Sequence, residues 1–127
     1  MSVNVIELLT EIVKEKGEDY VYTFTPPHGS TPRCAYTTQE GKPSCLIGIM
    51  LGKVAPQILE LINKMEWNPL RGPVGRVDSL HSIMRNREDW PFEDDDIPAL
   101  SAAQNAQDYG EPYGSVLRQI QPFYSRH

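Results

Sequence analysis

The sequence has 127 residues, a formal net charge of -5 and 39% apolar side chains, which bounds a single domain with one core. That charge disfavours general attraction to nucleic acid or to an anionic membrane, since both need a surplus of Lys and Arg. No apolar run reaches the roughly 20 residues that span a bilayer, and the N-terminus lacks the pattern of a signal peptide. The expectation is a cytoplasmic protein whose two cysteines are reduced thiols.

Asn4 has the character of a helix N-cap, with Glu7 at capping-box spacing, and Val5, Ile6, Leu8, Leu9, Ile12 and Val13 recur at helical period until Gly17. Tyr20 to Phe24 alternates aromatic and β-branched residues and reads as a strand. Pro26, Pro27, Gly29 and Pro32 break regular structure, and Cys34 to Thr38 reads as an antiparallel partner strand.

After the turn at Gly41, Ser44 is the expected cap of a helix that is apolar nearly all round, with Cys45, Leu46, Ile47, Ile49, Met50 and Leu51. Gly48 within it costs about 1 kcal/mol relative to Ala unless it lets another backbone approach closely. Pro56 opens a further helix carrying Ile58, Leu59, Leu61, Ile62 and Met65. A loop-rich region runs from about residue 67 to 96, with a short helix over Val77 to Met84 capped by Asp78 or Ser79. Two last helices run from Ile97 to Tyr109, stopped by Gly110, and from Pro112 to Pro122. The expected fold is therefore α+β, about five short helices around a small antiparallel β-hairpin.

Cys34-x-Tyr36, Gly41-x-Pro43-Ser44-Cys45-Leu46-Ile47-Gly48, Ala103-Gln104-x-x-Gln107-Asp108-x-Gly110 and Tyr113-Gly114-x-x-Leu117 resemble a group of small orphan proteins encoded by bacteriophages of actinobacteria. The resemblance spans the chain apart from the region between Trp67 and Trp90, and Tyr113 stands where a Trp is more usual. It implies a phage origin and a cytosolic host setting, and it supplies no catalytic residues.

Cys45 at a helix start has the position of an activated thiol, although its apolar surroundings suit core packing better. Cys34, Cys45, His28 and His81 offer zinc-ligand chemistry without the close pair spacing that preorganises a site. Glu93 to Asp96 lacks the spacing of a calcium loop and suits the N-terminus of the following helix. No catalytic residue, metal site or cofactor is expected.

Arg71, Arg76, Arg85 and Arg87 face Asp78 alone between Trp67 and Arg87, and six acids follow from Glu88 to Asp96, a pattern read as local pairing. Tyr22, Phe24 and Tyr36 with those four arginines are the candidate partner-binding residues, because interfaces favour aromatic and Arg anchors. The leading expectation is a non-enzymatic phage accessory protein that binds a host protein or itself as a homo-oligomer. A DNA-binding regulator using a helix-turn-helix-like segment over 46–65, and an oligomeric binder of a nucleotide signal, are the alternatives.

Overall fold

The computed structural model describes residues 4–22, 35–38, 40–68, 70 and 74–124. These form six α-helices: α1 (Val5–Lys16), α2 (Leu46–Val54), α3 (Pro56–Glu66), α4 (Val77–Met84), α5 (Ile97–Asp108) and α6 (Tyr113–Ile120). Short 3-10 turns at Asp94–Asp96 and Gln121–Phe123 flank the last two. Among the described residues, no helix is long and apolar enough to cross a membrane.

Local sequence explains most of these boundaries. The Asn4 side chain accepts the Glu7 N–H at 3.1 Å, and Gly17 ends α1 at φ 99°, a conformation that costs a residue without Cβ nothing. Pro56 opens α3 one residue after α2 stops, leaving Ala55 as the whole connection. Leu46, Ile47, Met50 and Leu51 are all buried, so α2 runs through the interior. Each such aliphatic side chain contributes about 2 kcal/mol on burial. α5 packs against α2, α4 and α6, while α1 closes the other side against α2 and α6.

The expected β-hairpin does not form, and among the described residues there is no strand. Residues 35–38 are extended, but their antiparallel partner is the adjacent 42–45 stretch, joined by one isolated bridge between Thr37 and Pro43. The Ser44 N–H donates to the Tyr36 carbonyl and the Cys45 N–H to that of Ala35, both at 3.0 Å. On the opposite edge, side chains of α3 take the backbone positions that a second strand would need. Tyr20 and its neighbours turn instead to α6: the carbonyls of Tyr20 and Glu18 accept the N–H groups of Tyr113 and Gly114 at 2.8 and 2.9 Å. They thus satisfy donors that every helix start leaves open. Phe24 and Cys34, assigned to the expected strands, lie outside the described residues.

Ser44 is likewise not the cap of α2. Cys45 holds that position, while the Ser44 hydroxyl shares a 2.9 Å hydrogen bond with the Tyr22 hydroxyl. Neither Asp78 nor Ser79 caps α4, whose N-cap is Arg76.

Candidate functional site

The extended segment 35–38 is the polar centre of the molecule, and it is assembled from distant parts of the chain. Glu66 at the end of α3 is buried, and its carboxylate accepts the N–H groups of Tyr36 (2.8 Å) and Thr37 (2.9 Å) and the Thr37 hydroxyl (2.6 Å). Burial pushes the Glu66 carboxyl above its ordinary range, with the Thr37 hydroxyl and the two backbone donors pulling it partly back. Asn63 donates to the Thr38 carbonyl and the Trp67 indole to that of Thr37, which completes the edge.

α5 supplies the other face through two buried glutamines one turn apart. Gln104 accepts the Val77 N–H at 2.9 Å and donates to the Tyr36 hydroxyl at 3.1 Å. The Tyr36 hydroxyl in turn donates to the Gly75 carbonyl at 2.8 Å. Gln107 accepts the Leu46 N–H at 2.7 Å and the Tyr113 hydroxyl at 2.8 Å. The two side chains therefore cap α4 and α2 from another helix, filling the place that Asp, Ser or Thr at each helix start would take. Burial raises the pKa of both tyrosines well above the usual phenol range. Gly48 belongs to the same assembly: a Cβ there would overlap the Tyr36 carbonyl oxygen, so the expected close approach is between α2 and this segment.

The candidate partner-binding residues separate on this framework. Tyr36 is fully buried and acts inside the fold rather than as a surface anchor. Tyr22 is half-buried, with its hydroxyl on Ser44 and on the Ala35 carbonyl, the latter at 3.3 Å. Arg76 reaches Asp108 at 3.1 Å and the Asn105 side chain, both on α5. Arg85 pairs with Asp94 at 2.8 Å, and Arg87 grips Asp89 through two bonds of 3.0 and 3.1 Å. The basic and acidic blocks thus meet locally, and Arg87 and His81 hold the Asp89 and Asp94 carboxyls below their ordinary range. Phe24 and Arg71 lie outside the described residues.

The thiol and zinc readings are altered by Cys45, which is fully buried and disulfide-bonded rather than a reduced thiol. The one other cysteine in the sequence, Cys34, lies outside the described residues, as do His28 and His127. His81 has both ring nitrogens engaged, one by the Trp90 indole at 2.8 Å and one by Asp94 at 2.7 Å. No cluster of metal-ligating side chains occurs among the described residues.

The segment read as a helix-turn-helix has a one-residue connection where that motif uses a turn of about three or four residues. Its second helix directs Asn63 inward to Thr38 and pairs Glu60 with Lys64 at 3.7 Å, leaving little positive charge to meet phosphate.

Two large apolar side chains stand out in solvent. Tyr109, directly after α5, is 87% exposed, and it follows Asp108, the carboxylate that holds Arg76. Leu70, on the connection between α3 and α4, is 95% exposed. Neither stands out in the sequence, where Tyr109 ends the helix that begins at Ile97 and Leu70 falls in the loop-rich region. A separate groove of about 470 Å³ between α1 and α6 is lined by residues that include Val13, Lys14, Leu117 and Arg118. No family model matches the chain, and no curated protein or solved structure matches it either.

Proposed function

We propose that this chain is a non-enzymatic phage accessory protein that works in the host cytoplasm. In this reading it docks a host protein or a second copy of itself through exposed side chains that include Tyr109 and Leu70. The observation that carries the reading is the exposure of Tyr109 (87%) and Leu70 (95%), the two most exposed large apolar side chains among the described residues. Exposed tyrosine is a side chain that interfaces favour as an anchor, and an exposed leucine gains free energy when covered. The engagement of His81, Glu66 and Cys45 within the fold further supports binding over catalysis. The Cys45 disulfide is the feature least in keeping with a reducing compartment.

The test compares the wild-type chain with a Tyr109→Ala, Leu70→Asp double variant, by native mass spectrometry for self-association and by quantitative capture from host lysate. Both sites are exposed, so the circular dichroism of the variant should match the wild type. Its self-association or partner recovery should fall about tenfold or more. A wild-type chain that stays monomeric and captures nothing would sink the reading, and so would a variant that behaves like the wild type in both assays.

A further inference from the structure

The chain between α4 and α5 returns across α4 as a strap. Trp90 and Phe92 are only 7% and 4% exposed and meet edge to face with ring centroids 5.3 Å apart. His81 on α4 pins that strap. The Trp90 indole N–H donates to His81 Nδ1 at 2.8 Å, so Nδ1 is the unprotonated acceptor. The ring proton then sits on Nε2, 2.7 Å from Asp94 Oδ1.

The charges around the ring come from two elements. Asp94 begins the turn before α5, and Arg85, one helical turn after His81, holds the other oxygen of the same carboxylate at 2.8 Å. Asp78, one turn before His81, is occupied with the Ser79 N–H. Glu93 and Asp96 are tied to each other's backbone in a capping box, and Asp96 also accepts the Tyr124 hydroxyl.

We propose that His81 is an acid-sensitive latch: a proton taken up at Nδ1 turns that nitrogen from acceptor to donor, expels the Trp90 N–H and frees the 88–93 strap from α4. The proton comes from solvent, and Nε2 keeps its own. Two N–H donors cannot share the 2.8 Å line that now joins them, and a buried indole left without an acceptor is destabilising. Asp94 accepts the Nε2 proton, and Arg85 shares that carboxylate. The latch is independent of Tyr109 and Leu70 and stands whether or not they dock a partner.

Nuclear magnetic resonance of the wild-type chain reads each step. Nitrogen shifts near neutral pH should show His81 as the Nε2–H tautomer. On acidification from about pH 7.5 to about pH 5, where histidines change charge, Trp90 indole exchange should accelerate in step with His81 titration. The Trp67 indole, bound to Thr37, should not follow it. His81→Asn places an uncharged acceptor near the Nδ1 position and should keep Trp90 protected throughout. Asp94→Asn should move the release to lower pH. An Nδ1–H tautomer near neutral pH would overturn the latch, as would Trp90 protection that persists through His81 titration. The same loss of protection in a folded His81→Asn variant would overturn it too. If that variant does not fold, the two wild-type readouts still decide.

Discussion

Two segments of this molecule lie extended against helices, and they are held in opposite ways. Residues 35–38 give their backbone groups to α3 and to the 42–45 stretch, and the Tyr36 hydroxyl to α5, so that α2, α3 and α5 must all be in place around them. Residues 88–93 rest on α4 through two buried aromatic rings and one bond to a histidine nitrogen, with Asp89 and Glu93 held by Arg87, Gln57 and the turn that follows. Backbone groups satisfied from several elements make a fixed part of a fold. Aromatic burial with one titratable anchor on the neighbouring helix makes a part that can be released while the rest stays folded.

Substitutions can break that contrast, beginning with the largest. Gly48→Ala forces a methyl group into the Tyr36 carbonyl, where neither backbone can yield without disturbing α2. A loss of about 3 kcal/mol in urea denaturation, or failure to fold, is expected. Glu66→Gln keeps the shape but turns an amide N–H₂ toward a backbone donor, and should cost about 2 kcal/mol near neutral pH.

That second cost has a pH signature. Because burial raises the Glu66 pKa in the folded chain, the folded state holds this proton more tightly than the unfolded one. Its stability contribution is therefore fullest below the ordinary value of 4.5 and declines as pH rises through the folded value. Denaturation curves at several pH values should show the gap between wild type and Glu66→Gln narrowing as pH rises. Trp90→Phe should have the smallest effect, about 1 kcal/mol, and amide exchange should quicken in 88–93 while the 35–38 amides stay protected. Equal loosening of both segments in that variant would remove the contrast.

The helices were largely legible in the sequence. Asn4, Glu7 and Gly17 bound α1 where capping chemistry places them, Pro56 opens α3, and α4 spans the expected Val77–Met84, though without the expected cap. The strands were not, because alternation over Tyr20 to Phe24 and Cys34 to Thr38 reports extended backbone and two faces without saying what lies along the edge. Here a carboxylate, an amide and an indole from α3 and the residue after it occupy that edge, more than 20 residues away in sequence. Glu66, at the end of an amphipathic helix, carries no local sign that it is buried. Gln104 and Gln107 stand out only through the phage resemblance, because Ser44 and Asp78 or Ser79 offer local caps for α2 and α4 and so hide the need for a cap from another helix. The exposure of Tyr109 was harder still to read, since a lone tyrosine beyond a helix end resembles many other residues in sequence.

The two glutamines of α5 also bear on the order in which the chain can fold. α2 and α4 leave a ribosome before α5 does, and until it arrives the Leu46 and Val77 amides have only water to bond. Neither early helix can be fully closed as an isolated piece, so the last third of the chain acts as the keystone of the first two thirds. Release of α5 in the mature protein should accordingly open the starts of α2 and α4 together, and those two distant amides should exchange with solvent as a single cooperative unit.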